Sequence, residues 1–207
     1  KHVVTISSFW MDESEVTNAE FKNFVDETGY ITTAERKIDW QEIKKILPPN
    51  TPKPHDSLLS PASLVFKETS VSNLNDYSKW WSLIRNANWR QPFGPGSNID
   101  DKENYPVVHI SWEDANEYCK WSGKRLPTEA EFEYASRGGK INNIYSWGNE
   151  KVDIGQLKAN IWEGEFPTKN NINDKFYYAS PIKSFKPNNY GIYDIAGNVW
   201  EWCSDWY

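Results

Sequence analysis

Histidine and methionine are scarce in this chain of 207 residues, which has three histidines and a single methionine. The histidines His2, His55 and His109 form no HxxxH or HExxH pair, so the sequence offers almost no ligands for a histidine-ligated zinc or iron site. No G-x-S-x-G motif is present, which disfavours hydrolases built around a nucleophile elbow. We interpret His109, within the apolar stretch VVHISW, as a hydrogen-bonded core residue rather than a ligand.

Cysteine is also rare, and its two copies fit no zinc pattern. Cys119 and Cys203 stand in no CxxC or Cys/His spacing. Two interpretations stay open for them. They are either two buried small hydrophobic side chains, which we favour, or the partners of a disulfide.

The chain also has no net positive charge and no long apolar segment. The chain has 23 Lys and Arg against 29 Asp and Glu, a net charge of −6. No basic surface is therefore expected to collect phosphates, and we predict no nucleic-acid partner. No apolar run approaches the roughly 20 residues that span a bilayer, so the sequence predicts no transmembrane segment.

Aromatic side chains, by contrast, are abundant. They make up 15% of the residues and include 12 tryptophans, which argues against disorder and predicts a core of large, individually fixed side chains. The segment GNVWEWCSDWY at residues 197–207 holds three tryptophans and is predicted to lie in the interior. The chain length favours one domain.

Three helices are predicted by their capping residues. Each begins with Ser or Thr followed three residues later by an acid, a pair that can satisfy free backbone N–H groups reciprocally. The pairs are Thr17 with Glu20, Ser111 with Asp114, and Thr128 with Glu131. A glycine follows each of the three patterns and is predicted to end the helix. Strands are predicted only at VVTISSFWM, residues 3–11, and at VVHISW, residues 107–112.

Much of the remaining chain shows neither the helical nor the strand period. Five prolines between residues 48 and 61 predict an extended surface loop, within a Pro-rich surface insertion at residues 40–76. Residues 141–207 are rich in Asn, Asp, Gly and aromatics. Buried N–H and C=O groups of such irregular backbone must be satisfied by side chains, water or metal. Of these, metal is the option that the sequence supports best.

Two acidic segments could surround a hard cation with oxygens. Calcium accepts irregular shells of 6 to 8 carboxylate, amide and carbonyl oxygens. In YDIAGNVWEW the possible donors are Asp194, Gly197, Val199 and Glu201, and in ANIWEGEFPTKNNINDKF they are Asn160, Ile161, Asp174 and Phe176. By spacing alone, acids in solvated turns explain both segments better.

Six segments together resemble the formylglycine-generating enzyme family, also called sulfatase-modifying factors. In chain order they are FWMDESEVTNAEFKNFVDETGY, WWSLIRNANWRQPFGPGS, YPVVHISWEDANEYCKWSGKRLPTEAEFEYASRGG, YSWGNE, ANIWEGEFP and NNYGIYDIAGNVWEWCSDWY. The resemblance implies an α+β fold of C-type-lectin-like topology with little regular secondary structure. It implies one sulfatase-modifying-factor domain over residues 1–207, lacking its C-terminal portion.

The resemblance also implies calcium and a substrate groove. It assigns one calcium ion to Asn160, Ile161, Asp174 and Phe176, and a second to Asp194, Gly197, Val199 and Glu201, with Glu15 as a further contact. The groove positions would be Ala34, Asp39 and Trp80. An extended peptide could lie there with its Arg on Asp39. Equally, Trp80 could be core and Asp39 a solvated surface acid.

The activity implied by the resemblance is oxidation of a cysteine in a sulfatase C-x-P-x-R segment to formylglycine with dioxygen. A copper ion held by two cysteine thiolates would activate the oxygen. Neither Cys119 nor Cys203 matches those positions, so the copper ligands are expected downstream of Tyr207. The expected partner is an unfolded or nascent sulfatase polypeptide, bound by a monomer. The alternative is a non-catalytic, calcium-stabilised paralogue that acts as a protein-binding module or as a structural lipoprotein component.

Overall fold

The computed structural model describes residues 3–70, 74–152 and 157–206. Residues 71–73 of the predicted insertion and Tyr207, the reference point for the expected copper ligands, lie outside the described residues. Within the described ranges, four α-helices and two small antiparallel sheets are joined by long irregular segments. This agrees with a mixed α and β fold of low regular content. In the described part of the chain, no helix is long and apolar enough to cross a membrane.

The three predicted helices are confirmed, and a short fourth one accompanies them. The helices are α1 (Asn18–Thr28), α2 (Trp40–Lys44), α3 (Trp112–Trp121) and α4 (Glu129–Arg137). All three predicted capping boxes form, with the cap hydroxyl and the acid each accepting from the other residue's backbone N–H. Gly29 ends α1 in the left-handed conformation (φ 68°), which glycine adopts without a Cβ penalty.

The strands lie elsewhere than predicted. Strand β1 (Ala62–Phe66) pairs antiparallel with β2 (Trp81–Arg85), and β3 (Gly164–Glu165) pairs with β4 (Lys169–Asn170). Strand β1 and helix α2 both fall within residues 40–76. Between residues 48 and 61, where the prolines cluster, the helical structure is one 3₁₀ turn at Asp56–Leu59.

Both strand predictions were wrong, at positions that the structure describes throughout. Residues 3–11 run as an irregular segment with Val3 and Trp10 fully exposed, so an apolar run alone did not secure a pairing partner. Residues 107–112 are interrupted at His109, whose φ of 60° is incompatible with an extended strand. The backbone pairing near this segment consists of a bond from Val107 N–H to the Val16 carbonyl and a neighbouring isolated bridge.

His109 is hydrogen-bonded, as predicted, and it is partly buried rather than fully in the core. Its Nε2 donates to the Pro92 carbonyl at 2.8 Å, and its Nδ1 lies 2.8 Å from the Ser63 hydroxyl. Because a carbonyl can only accept, the neutral ring carries its proton on Nε2. Burial lowers the pKa of His109, which favours this neutral form. The side chain therefore ties β1 to the segment that precedes α3.

The main core is a cluster of aromatic side chains between α1 and α3. Phe21, Phe24 and Val25 of α1 are buried against Trp89 and against Tyr118 of α3. Phe21 meets both Phe24 and Trp89 edge-on, at ring-centroid distances of 5.3 Å, a geometry that aromatic quadrupoles favour. This packing holds α1 in place, and with it the loop that carries Glu15.

Asp114 joins the segment after α1 to the start of α3. Its side chain is completely buried. It accepts hydrogen bonds from the Tyr30 hydroxyl and the Thr33 amide, both at 2.9 Å, and from the Ser111 amide at 2.8 Å. Several donors aimed at one carboxylate compensate for its loss of hydration. The 3₁₀ turn that contains Ala34 is fixed to the core in this way.

The tryptophans of residues 197–207 are not the interior residues that their density predicted. Trp200 is 94% exposed and Trp206 is 96% exposed, so the prediction was wrong for both. Trp202 is half-exposed, and its indole N–H donates to the Ile110 carbonyl at 2.9 Å. One wall of a cavity of about 1380 Å³ is formed by Trp200 and Trp202.

Candidate functional site

The two loops predicted to hold calcium meet at Asn198. Its backbone N–H donates to the Asn160 carbonyl at 2.8 Å, and its Oδ1 accepts from Asn160 Nδ2 at 3.0 Å. Its Nδ2 donates to Glu15 Oε1 at 2.9 Å. A Cβ at Gly197 would lie only 2.5 Å from the Asn160 carbonyl, and φ there is 99°, so the approach requires glycine. Donors of both predicted ion sites are therefore neighbours.

Three buried carboxylates in or near the predicted calcium loops each have one oxygen without a partner. Glu15, Asp174 and Asp194 are only 8%, 6% and 8% exposed. One oxygen of each accepts a hydrogen bond, from Asn198, from the Phe176 amide and from the Lys183 amide respectively. The other oxygens are buried without a hydrogen bond, and they are Glu15 Oε2, Asp174 Oδ2 and Asp194 Oδ1. Buried unpaired carboxylate oxygens are costly unless a cation accompanies them.

Glu15, Asp194 and Glu201 also act on one another through their charges. Burial raises the pKa of Glu15 to about 7, and the charge of Asp194 contributes to that rise. Burial raises the pKa of Glu201 to about 8, with further contributions from Glu15 and Asp194. The Glu201 side chain is itself solvent-exposed and lines the wall of the large cavity. A bound cation would favour the charged form of all three acids.

Side-chain carboxylates alone do not make a complete metal site here. Among the residues that the structure describes, no three His, Cys, Asp or Glu side chains form a group that could hold an ion. Amide and backbone oxygens would have to complete each shell, and calcium accepts them readily. The side-chain oxygen of Asn160 is suitable, because its Nδ2 is the atom that donates, to the Tyr178 carbonyl and to Asn198. Backbone carbonyls would come from Ile161, Phe176, Gly197 and Val199.

This set of oxygens fits calcium and does not fit a soft metal. Three unpaired buried carboxylate oxygens together with neutral oxygens match a hard cation that tolerates irregular geometry. The predicted ligands Asn160, Asp174, Asp194 and Gly197 lie in the two loops, Glu15 contacts Asn198 between them, and the charges of Glu15 and Asp194 act on Glu201. The sequence analysis missed Asn198, which joins the loops, because a single Asn after a glycine carries no ligand signature of its own.

The two cysteines do not fit a copper site. Both are free and half-buried, Cys119 on α3 and Cys203 near Trp112, whose indole N–H donates to the Cys203 carbonyl at 2.9 Å. Burial raises the pKa of both thiols, whereas copper(I) binds thiolates. The free thiols agree with the favoured interpretation of small, partly buried side chains.

The three predicted substrate positions differ in their environments. Ala34 is 7% exposed and Trp80 is 6% exposed, and the Trp80 ring meets Phe166 edge-on at 5.6 Å. Asp39 is exposed and caps α2, its Oδ1 accepting from the Gln41 amide at 2.8 Å. Trp80 is therefore buried, as in the alternative interpretation that places it in the core. The substrate-binding role of these residues stays a prediction.

Residues 1–207 match the family model described as "Sulfatase-modifying factor enzyme 1-like domain". The chain belongs to the sulfatase-modifying factor family. A Mus musculus protein named formylglycine-generating enzyme is 44% identical over 204 residues, covering 99% of this chain and 50% of that protein. The Streptomyces coelicolor protein of the same name is 42% identical over 206 residues, covering 100% of this chain and 60% of that protein.

A second kind of family member is nearly as similar. A Mus musculus protein named inactive C-alpha-formylglycine-generating enzyme 2 is 41% identical over 205 residues, covering 99% of this chain and 60% of that protein. The chain spans between 50% and 60% of the length of these three relatives. Membership of the sulfatase-modifying factor family is therefore shown, while overall identity does not separate its active members from its inactive ones.

Proposed function

We propose that this family member serves formylglycine generation. The reaction would be oxidation of a cysteine in a C-x-P-x-R segment of a sulfatase to formylglycine with dioxygen and copper. The observation that carries the proposal is 44% and 42% identity, over nearly the whole chain, to proteins named formylglycine-generating enzymes. The partner would be an unfolded or nascent sulfatase, and the oxidase would act as a monomer of C-type-lectin-like topology.

In this proposal residues 1–207 supply the scaffold and part of the substrate surface. Asn160, Ile161, Asp174 and Phe176 would hold one calcium ion, and the second would be held by Asp194, Gly197, Val199 and Glu201 with Glu15. Bound calcium would neutralise the buried carboxylates and tie the two loops together. The unpaired oxygens of Glu15, Asp174 and Asp194 support this assignment.

The proposed substrate contact is electrostatic. The exposed carboxylate of Asp39 would accept hydrogen bonds from the arginine of the C-x-P-x-R segment, a pairing that is strong when bidentate. Because Cys119 and Cys203 do not fit copper, the thiolate pair would come from cysteines downstream of Tyr207. No oxidation step is therefore assigned to a side chain of this chain.

The second candidate function is binding without oxidation. It is favoured by the 41% identity to a protein named inactive, which is close to the values for the proteins named as enzymes. Such a paralogue would keep the calcium loops and the substrate surface and would lack the copper thiolates. It would act as a protein-binding module or as a structural lipoprotein component.

An aldehyde assay on the natural full-length protein tests the two candidates. We expect the copper-loaded protein in air to convert a C-x-P-x-R peptide to its aldehyde, detected by mass spectrometry after hydrazone formation. A peptide with serine in place of cysteine is the matched control and should remain unchanged. Folded, copper-treated protein that binds the cysteine peptide and yields no aldehyde would contradict the oxidase and support the binding module.

A further inference from the structure

Glu163 is fixed against the loop that carries Asp174. The Asn173 amide donates to Glu163 Oε2 at 2.6 Å. On the backbone, the Glu163 amide donates to Asn170 Oδ1 at 3.1 Å, and its carbonyl accepts from the Asn171 amide at 2.6 Å. The pairing of β3 with β4 follows directly in the chain. Both the main chain and the carboxylate of Glu163 are therefore held on residues 170–173.

The second oxygen of this carboxylate has no partner. Glu163 Oε1 is buried without a hydrogen bond, and so is Asp174 Oδ2. Because Glu163 Oε2 accepts from the amide of the residue immediately before Asp174, the Glu163 carboxylate is held against the turn that carries Asp174. Among the described residues, the ion pairs with Lys and Arg include neither acid. Buried carboxylate oxygens without a hydrogen bond or a cation are unfavourable.

The backbone of this turn is bent so that it closes on Glu163. Ile172 and Lys175 adopt positive φ angles of 54° and 75°, and the Lys175 amide donates to the Ile172 carbonyl at 3.1 Å. The Phe176 amide in turn donates to Asp174 Oδ1 at 2.9 Å, which leaves Oδ2 as the free oxygen. Asp174 is 6% exposed, so this free oxygen faces protein rather than solvent.

We propose that Glu163 is a further oxygen ligand of the calcium ion assigned to Asn160, Ile161, Asp174 and Phe176. Within that set only Asp174 carries a charge, so Glu163 would supply the second negative charge opposite a divalent ion. Calcium affinity is tuned by the number of charged ligands and by the rigidity of the site. The inference rests on the calcium binding included in the proposed function, and the family resemblance assigns no role to Glu163.

A purely structural role is the alternative that the experiment must separate. In that case Glu163 would only fasten the loop through Oε2 and the Asn173 amide. The substitution Glu163→Gln keeps a side-chain oxygen that can accept this bond and removes the charge. A fastening role predicts little change, or an equal change with and without calcium. A ligand role predicts a change that depends on calcium.

Calcium titration of chelator-treated protein tests the proposal. We expect E163Q to raise the calcium dissociation constant of one site about tenfold, from the loss of one charged ligand. Glu165 is exposed two residues further along the chain, in β3, so E165Q is the control with the same charge change, and its constants should stay within about twofold of the original. Isothermal titration calorimetry with calcium chloride measures both variants.

Melting temperatures provide a second readout that also guards against misfolding. Without calcium, E163Q should melt at the same temperature as the unsubstituted protein or higher, because it loses an unpaired buried charge. With calcium it should melt lower. E163Q titrations that superimpose on those of the unsubstituted protein would overturn the role of Glu163 alone. Absence of calcium binding by the unsubstituted protein would overturn the calcium sites as well, whatever the aldehyde assay shows.

Discussion

Chelation of calcium is expected to lower the melting temperature by about 10 to 20 °C. A ligand that binds only the folded state stabilises it by about 2.7 kcal/mol when present at 100 times its dissociation constant. Two such sites give about 5 kcal/mol, and each kcal/mol shifts the melting temperature of a domain of this size by about 2 to 4 °C. The physical source is the unpaired oxygens of Glu15, Asp174 and Asp194, which lose their counter-charge when the ion leaves.

Differential scanning calorimetry before and after treatment with EGTA measures this effect. Excess calcium should restore the original melting temperature, whereas magnesium at the same concentration should restore little of it, because magnesium demands near-octahedral geometry and dehydrates reluctantly. Coincident melting curves with and without chelator would contradict the assignment. So would equal rescue by the two ions.

Calcium is also expected to reverse the effect of pH on the stability difference between the unsubstituted protein and Glu15→Gln. Without calcium, burial raises the pKa of Glu15 from 4.5 to about 7, so the folded protein binds more protons than the unfolded chain between these values. The stability that Glu15 contributes is therefore present at low pH and is lost as pH rises through about 7. The raised pKa corresponds to about 3 kcal/mol. As pH rises, the free energy of unfolding of the unsubstituted protein should fall by about this amount relative to that of Glu15→Gln.

With calcium present, the same change of pH should favour the unsubstituted protein. Protons and calcium compete for the Glu15 carboxylate, so calcium binds more tightly as the acid ionises. The free energy of unfolding of both proteins, measured by urea titration between pH 5 and 8 with and without calcium, tests this. Comparing the two proteins cancels the opposing contribution of His109, whose pKa is lowered by burial. A difference that stays constant over this pH range in the calcium-free samples would refute the pKa assignment.

Local signals in the sequence predicted the helices well and the strands poorly. A capping box is completed within four residues, so Thr17 with Glu20 and Thr128 with Glu131 identify helix starts without tertiary information. A strand needs a partner that the sequence does not name. Among the described residues 107–112, backbone pairing stops after the Val107 bond to Val16, because the backbone at His109 turns to a positive φ and its ring binds Ser63 and Pro92 instead.

The candidate metal site was predictable through family resemblance and only weakly through spacing. Its donors come from positions as far apart in the chain as Glu15 and Asp194, and no local pattern joins them. Asn198 and Glu163 likewise stand in no local pattern that marks them as part of the site. The importance of Asn198 arises from the contacts of its amide with Asn160 and Glu15, and that of Glu163 from one buried oxygen without a partner. Such properties depend on burial, which the residue order does not express.

The calcium content of the purified protein tests the central claim most directly. After dialysis into metal-free buffer, elemental analysis should find about two calcium ions per chain. Asp174→Asn and Asp194→Asn should each reduce the content to about one ion, since each substitution weakens a different site while leaving the other. A calcium content near zero in the unsubstituted protein, or an unchanged content in both variants, would contradict the claim that these carboxylates hold calcium.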